Sequence, residues 1–266
     1  MRFLLTWVAL LIAELVHGQL YDPALLAASV KSSFIPTQAP GMVVWLKADA
    51  GTSLSGSNVT AWADQSGSGN DFRAYGGVAS QGPIWISNSV NGLPAINVTP
   101  SHAFSSVNKV TFGANTNLSI FIVIQLTNSV GSNSHGYSVP SAAQPGYGYW
   151  AYFASDTSTT AKPGFYTDSG GYKTFGTITA NGSLVQDIEA IVNNSTATCY
   201  TNGASVGTTN CAITQATNVS WYLFSPTSGM GALNYGKVCE YLYYTNSVSS
   251  SDRGKIESYL KIRWGL

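Results

Sequence analysis

Charge is scarce in this chain. Its twelve Lys and Arg residues balance its twelve Asp and Glu residues, and charged residues make up only 9% of 266. A soluble domain typically has about 25%. No excess of either sign steers the protein towards nucleic acid, anionic membranes or acidic substrates, so we expect none of these as partners. Serine, threonine, asparagine and glycine must solvate the surface instead, a composition more usual outside the cell.

Reactive side chains are also few. Cys199, Cys211 and Cys239 are the only cysteines, too few for a disulfide scaffold and without zinc-type spacing. They fit either one disulfide with one leftover thiol, or three buried free thiols. Beyond residue 18 the only histidines are His102 and His135, and the sequence has no Gly-x-Ser-x-Gly elbow and no phosphate loop. Serine-hydrolase and metal-hydrolase functions therefore lack their residues.

Long apolar runs are absent except at the N-terminus. Residues 3–16 form one such run, which follows Arg2 and contains Glu14. This pattern predicts a signal peptide over residues 1–18 that is cleaved before Gln19, the alternatives being an uncleaved anchor or a buried helix. No later run reaches eighteen apolar residues, as a membrane-spanning helix requires. We therefore expect a secreted protein that does not insert into membranes after cleavage.

Residues 19–40 form a lead that differs from the rest of the chain. Asp22-Pro23 favours a helix start, with Asp as the cap, and predicts two helical turns over residues 24–30. The two prolines within residues 35–40 exclude a helix there, which predicts an extended linker.

From residue 41 onwards the pattern is typical of an all-β domain. Short apolar runs alternate with Gly, Asn, Ser and Pro. Leu118–Leu126 is almost wholly apolar, as expected of a strand covered on both faces. The predicted strands are Met42–Ala48, Ala95–Val98, Lys109–Phe112, Leu118–Leu126, Tyr147–Ala154, Leu184–Val192, Thr196–Thr201, Ala204–Thr208, Ser220–Phe224 and Lys237–Tyr244.

Two local signals mark a turn and a helix. Asn202-Gly203 lies between two predicted strands and predicts a type I′ hairpin, which would place Cys199 opposite Val206. The stretch that starts at Ser249 resembles a capping box and predicts the start of a C-terminal helix, which Gly265 would end.

Four stretches carry a resemblance to a known family. They are the motifs G-M-V-V-W-L-K-A-D with A-W-A-D-Q-S-G-S-G-N-D, then N-G-L-P-A-I-N, then C-Y-T-N-G, then G-K-V-C-E-Y-L-Y-Y with the C-terminal helix. In this order they resemble the laminin-G-like jelly-roll domains of the concanavalin A-like superfamily, over residues 41–266. The resemblance implies an all-β sandwich of two antiparallel sheets with a short C-terminal helix. It also implies binding of glycans or proteins, usually by a secreted, cell-surface or virion protein.

The richest polar loop follows the first motif. Asp64, Asn70 and Asp71 would supply oxygen ligands to Ca²⁺, and the glycines between them allow a tight bend. The alternative is that these side chains hydrogen-bond the backbone of their own loop and hold the turn. We expect no cofactor to be required, and calcium is the one candidate.

The densest aromatic run gives the candidate ligand site. Tyr147, Tyr149 and Trp150 fall on a predicted strand, and Tyr172 follows in a glycine-rich stretch. Exposed aromatic rings would pack on the apolar faces of sugar rings. The alternative is that these residues pack in the core.

Acidic residues raise the question of catalysis. Asp187 and Glu189 are two apart on a predicted strand, so they share a face and invite comparison with a glycosidase pair. Family members that cleave β-glucans carry a third acid on that strand, whereas the flanking residues here are Val185 and Ile191. The departure predicts a protein that is not an enzyme, with solvated carboxylates on a half-exposed strand. Glu240 has a structural role in this interpretation, paired with Arg253, Lys255 or backbone amides.

Asn-x-Ser/Thr sequons are frequent, and in a secreted eukaryotic protein they accept glycans where they are exposed. Two of them overlap, so we expect only one of that pair to be used. The sequons are at Asn58, Asn97, Asn117, Asn181, Asn193, Asn194 and Asn218.

The leading hypothesis is a secreted, non-catalytic binding or adhesion protein that recognises a glycan or a glycoprotein. One alternative is a structural component of a virion, fibre or extracellular matrix that self-assembles. The other is an atypical glycoside hydrolase that uses Asp187 and Glu189.

Overall fold

The computed structural model describes the chain from Phe34 onwards. It covers residues 34–99, 102–109, 117–126, 149–155, 160–167, 171–180, 182, 184–211, 220–224 and 236–266, with residues 149–155, 165–167 and 171–172 described by their backbone alone. The predicted signal peptide, the predicted helix over residues 24–30 and most of the predicted strand Lys109–Phe112 lie outside the described residues.

The segment before the first strand is packed on the domain. Pro36–Gln38 form one turn of 3₁₀-helix, so the extended linker predicted there is wrong. Proline at the first helical position fits such a turn because its missing N–H would have no partner there. The Tyr244 hydroxyl donates to the Pro36 carbonyl at 3.0 Å, and Ala39 is buried.

The chain forms an all-β sandwich with one C-terminal helix, α1 (Ser250–Trp264). Two strands, Leu118–Leu126 and Thr196–Thr201, confirm their predicted bounds. In chain order the strands are β1 (Met42–Lys47), β2 (Thr52–Ser55), β3 (Asn58–Trp62), β4 (Phe72–Ala74), β5 (Ile84–Val90), β6 (Leu93–Val98), β7 (Phe104–Ser106), β8 (Leu118–Leu126), β9 (Tyr149–Ser155), β10 (Thr160–Thr167), β11 (Gly171–Thr174), β12 (Ile178–Thr179), β13 (Gln186–Asn193), β14 (Thr196–Thr201), β15 (Ala204–Asn210), β16 (Tyr222–Leu223) and β17 (Gly236–Tyr244).

All pairings among the described strands are antiparallel, and they form two sheets. The larger sheet has the order β15-β14-β13-β8-β17-β6-β5-β3-β4-β7-β16, with β1 beside β17 and β2 beside β3. The smaller sheet is built on β10, which pairs with β9 on one side and with β11 and β12 on the other.

The larger sheet folds over itself around an apolar core, here called the inter-sheet core. Trp221 beside β16 packs edge-on against Tyr243 of β17, with ring centroids 5.0 Å apart, although five strands separate β16 from β17 in the sheet order. Alternate residues of β8, such as Ile122, face this core. The smaller sheet contributes Ala161 and Ile178 to it. Burial of these side chains is the main stabilising term of the sandwich.

A second apolar core, here called the helix core, lies between the larger sheet and α1. It contains Phe121 and Leu242 from the strands, and Ile256, Leu260 and Trp264 from α1. The predicted helix ends are confirmed: Ser249 caps the N-terminus through Asp252, and Gly265 ends the helix in a left-handed conformation (φ 71°). Spacing of three to four residues puts the three buried side chains of α1 on one face.

The hairpin at Asn202-Gly203 forms as predicted, with positive φ at both residues. Its predicted register is wrong by one residue, because a bulge between Cys199 and Tyr200 places Cys199 opposite Gly207. All three cysteines of the chain are buried and free, which is the second of the two expected arrangements.

Among the described residues, no helix is both long and apolar enough to cross a membrane.

Candidate functional site

The smaller sheet brings several aromatic residues into one row. On β9 and β10, Trp150 lies opposite Tyr166; on β10 and β11, Tyr166 lies opposite Tyr172. Tyr152 lies two residues along β9 from Trp150, opposite Gly164. Residues directly opposite each other on antiparallel strands share a face of the sheet. Trp150, Tyr166 and Tyr172 therefore occupy neighbouring positions on one face.

The register also shows which face this is. Ala161 of β10 is paired with Ile178, and both are buried in the inter-sheet core. Since side chains alternate along a strand, the even-numbered positions of β10 belong to the opposite, outer face. Thr174 of β11, in register with that outer face, is exposed. The row of Trp150, Tyr152, Tyr166 and Tyr172 is here called the aromatic row, and it occupies the outer face of the smaller sheet.

The four predicted ligand residues do not all belong to the aromatic row. Trp150 and Tyr172 belong to the aromatic row, whereas Tyr149 lies opposite Thr167 at a position on the core-side face. Tyr147 lies outside the described residues. Tyr166 was missed because its strand contains Pro163 and Gly164, which hide the pattern of a strand.

The loop after β3 is held by its own side chains. Asp64 Oδ1 accepts from the backbone N–H groups of Trp45 (2.8 Å) and Ser66 (2.9 Å). Asp64 Oδ2 accepts from the Ser66 hydroxyl (2.7 Å) and the Asn70 N–H (3.1 Å). Asp71 Oδ1 accepts from the Asp64 N–H at 2.8 Å. These hydrogen bonds hold the loop against β1. Calcium binding by Asp64, Asn70 and Asp71 would have to replace some of them. The calcium site stays a prediction.

Asp187 and Glu189 lie on β13 beneath α1. They are 2% and 0% exposed, so the predicted half-exposed strand with solvated carboxylates is wrong. Burial, and then the neighbouring carboxylates of Asp187 and Glu257, raise the pKa of Glu189 to about 10. Burial also raises the pKa of Asp187 well above its usual value. Glu189 therefore holds its proton at neutral pH.

One arginine of α1, Arg253, lies beside this buried acidic pair. Arg253 Nη1 is 2.8 Å from Glu257 Oε1 and 3.7 Å from Glu189 Oε2. Its guanidinium group also lies over the ring of Tyr200, with Cζ 3.8 Å from the ring centroid. A cleft of about 240 Å³ beside Asp187 is smaller than typical ligand pockets of about 300–1,000 Å³.

Glu240 is the centre of a second buried cluster. A bulge in β17 between Val238 and Glu240 interrupts its register with β8. Glu240 Oε1 accepts from Trp45 Nε1 (2.5 Å) and the Tyr259 hydroxyl (3.1 Å), and Oε2 accepts from Trp264 Nε1 (2.7 Å).

The cation paired with Glu240 is Arg263, whose Nε is 3.2 Å from Oε2. The predicted partners Arg253 and Lys255 are therefore wrong. The reason is the helical spacing: Arg263 lies one turn after Tyr259 on the same face of α1, near the C-terminal end, whereas Lys255 pairs with Asp252.

No protein-family profile matches this chain, and no curated protein of similar sequence was found.

Several solved structures do match the fold of this chain. One is domain 4 of AbnA, an extracellular arabinanase of Geobacillus stearothermophilus in complex with arabinotriose, with a TM-score of 0.55 and 12% identity over 80% of this chain and 96% of that domain. Another is the binding domain of botulinum neurotoxin serotype D, with a TM-score of 0.58 and 11% identity over 87% of this chain. A third is the sialidase of Trypanosoma rangeli in complex with sialic acid, with a TM-score of 0.54 and 14% identity over 82% of this chain.

The chain spans 54% of that toxin binding domain and 32% of that sialidase. At these identities the likeness shows a shared jelly-roll sandwich fold.

Proposed function

We propose that this protein is a secreted, non-catalytic lectin of laminin-G-like type that binds a glycan on the outer face of its smaller sheet. The observation that carries the proposal is the aromatic row, because the strand register puts four aromatic residues at neighbouring positions on the face of the smaller sheet opposite that of the buried Ala161. Sugar rings have apolar C–H faces that pack on aromatic rings, so a flat aromatic platform suits them.

The low charge of the chain supports a ligand that is recognised by stacking and neutral hydrogen bonds. Similar sandwiches include sugar-binding examples. One serotype D toxin domain was solved with N-acetylneuraminic acid, and the arabinanase domain with arabinotriose. These ligands belong to those proteins, but they support the choice of a glycan over a protein ligand here.

The position of the acidic pair supports a non-catalytic protein. A glycosidase needs one ionised carboxylate and one carboxylic acid, both within reach of the glycosidic bond. Asp187 and Glu189 are buried beneath α1, and Glu189, with its pKa raised to about 10, is not ionised at neutral pH. The cleft beside Asp187, of about 240 Å³, is smaller than typical ligand pockets.

The proposal is tested with the mature chain, residues 19–266, on a glycan array followed by titration of the best ligand. We expect Trp150→Ala and Tyr172→Ala each to raise Kd about two- to tenfold, since one stacking ring contributes about 0.5–1.5 kcal/mol. Tyr75→Ala removes a half-buried ring from a 3₁₀ turn that belongs to neither sheet, and this control should leave Kd unchanged.

Two results would contradict the proposal. One is that Trp150→Ala and Tyr172→Ala both bind the glycan with the wild-type Kd while their circular dichroism spectra are unchanged. The other is release of reducing sugar from the bound glycan that is lost on Asp187→Asn or Glu189→Gln, which would establish the glycosidase alternative.

A further inference from the structure

A polar groove lies between the β13–β14 hairpin and the N-terminal end of α1. Its volume is about 770 Å³, within the range of ligand-binding clefts. Hydroxyl and amide side chains make up most of its lining, and Tyr200 supplies an aromatic ring. Such a surface accepts sugars, whose hydroxyl groups need hydrogen-bond partners and whose ring faces need an apolar contact.

The tip of the same hairpin carries the two overlapping sequons. They are Asn193-Asn194-Ser195 and Asn194-Ser195-Thr196, and all four residues are exposed. Asn193, Asn194, Ser195 and Thr196 also line the groove. The residues of the two overlapping sequons therefore also form part of the groove that would hold the attached glycan.

The other sequons that the structure describes are obstructed. The Asn58 side-chain amide donates to the Gly82 carbonyl at 2.9 Å, and Asn58 is half-buried at the start of β3. Asn97 lies within β6, between β5 and β17. The sequon of Asn117 depends on Ser119, which is fully buried and donates to the Asn246 carbonyl.

Within the overlapping pair the backbone favours the second asparagine. Asn193 is paired with Thr196 as the last residue pair of the β13–β14 ladder. Asn194 lies outside the ladder in the turn, with φ 56°, and its backbone N–H donates to Asn117 Oδ1 at 2.5 Å. This bond holds the turn through the backbone while the Asn194 side chain lines the groove.

We propose that Asn194 is the acceptor of an N-linked glycan and that the first sugars of this glycan lie in the groove against Tyr200. The donor is a lipid-linked oligosaccharide pyrophosphate. Its anomeric C–O bond breaks and a bond from the anomeric carbon to Asn194 Nδ2 forms. Nδ2 gives up one proton, and the lipid pyrophosphate leaves. The inference rests on the proposed secretion, because the donor and the transferase belong to the secretory pathway.

Two conservative variants separate the overlapping sequons. Thr196→Ala destroys only the Asn194 sequon, and Ser195→Ala destroys only the Asn193 sequon. The full chain is expressed in a eukaryotic secretory host, and peptide mass spectrometry is run before and after enzymatic deglycosylation. We expect the glycan on Asn194 in the wild-type and Ser195→Ala proteins and none at this hairpin in Thr196→Ala. A glycan that survives Thr196→Ala and is lost in Ser195→Ala would overturn the assignment.

A second arm separates this inference from secretion itself. Residues 1–18 are exchanged for an established signal peptide, so that the chain enters the pathway in either case. Retention of the natural chain inside the cell would contradict the proposed secretion alone. Secreted protein with an unmodified Asn194 would overturn the acceptor assignment.

The groove is tested on the secreted glycoprotein by NMR. We expect nuclear Overhauser contacts between the N-acetyl methyl groups of the first sugars and the Tyr200 ring, and their loss in Tyr200→Ala with the glycan still attached. A glycan on Asn194 without such contacts would overturn the proposed position in the groove.

Discussion

At the scale of single residues, Glu189 gives the fold a pH dependence. Its pKa is about 10 in the folded protein, because of burial first and the Asp187 and Glu257 carboxylates next, against 4.5 for an ordinary glutamate. Between these two values the folded chain holds a proton that the unfolded chain has lost. The stabilising effect is therefore complete below about pH 4.5 and is lost as the pH rises towards 10, at up to about 1.4 kcal/mol per pH unit.

Glu189→Gln tests this effect, since glutamine is neutral at every pH. We expect the variant to unfold at a higher urea concentration than the wild-type protein at pH values above neutral, and the gap to close near pH 4.5. Asp252→Asn is the matched control: the Ser249 and Lys255 side chains lower the pKa of Asp252, so this variant should lose the same stability at every pH above neutral, and that loss should disappear only as the pH falls below the ordinary value of 3.8. Equal slopes of unfolding free energy against pH in Glu189→Gln and wild-type would contradict the assignment.

At the scale of elements, Glu240 joins β17 to β1 and to α1. Its carboxylate accepts from Trp45 of β1 and from Tyr259 and Trp264 of α1, and it is completely buried. Glu240→Ala would leave these donors and Arg263 without their acceptor, and we expect a loss of about 3–5 kcal/mol in the free energy of unfolding.

Asp49→Asn is the matched control for Glu240→Ala. Asp49 pairs with the same Arg263, but this pair is partly exposed to solvent. Exposed pairs contribute about 0–1 kcal/mol, so the control should cost at most that much. Equal losses in the two variants, measured by urea denaturation, would show that Glu240 does not hold the helix.

Sequence patterns predicted the elements unevenly, for physical reasons. Leu118–Leu126 is covered on both faces, so its composition alone identifies a strand. β10 carries Pro163 and Gly164, and β4 and β7 have three residues each, too few for a period to show. The capping residues of α1 act locally, so both helix ends were predicted correctly.

At the scale of the whole molecule, the candidate sites depend on contacts between distant segments. The spacing of Asp187 and Glu189 is visible in the sequence, but their burial is caused by α1, which packs over β13 with Arg253 3.7 Å from Glu189. The aromatic row needs the register of three strands, which no local pattern contains. Residue types in the sites were therefore predictable, whereas their exposure and neighbours were not.

The three thiols report whether the sandwich and α1 unfold together. Cys199 and Cys211 lie in the inter-sheet core, and Cys239 lies in the helix core. Burial raises the pKa of Cys211 to about 11 and of Cys239 to about 12, and it raises that of Cys199 as well. Thiol reagents attack exposed thiolates, so we expect no labelling of the native protein at neutral pH.

In mild urea the labelling rate of each cysteine, read from its peptide by mass spectrometry, measures how often that core opens. Since Glu240 fastens α1 to two strands of the sandwich, we expect Cys199, Cys211 and Cys239 to label at one common rate after correction for their rates in the unfolded chain. Cys239 labelling ahead of the other two would mean that α1 undocks alone. Glu240→Ala should produce that outcome, because it removes the link while leaving the inter-sheet core intact.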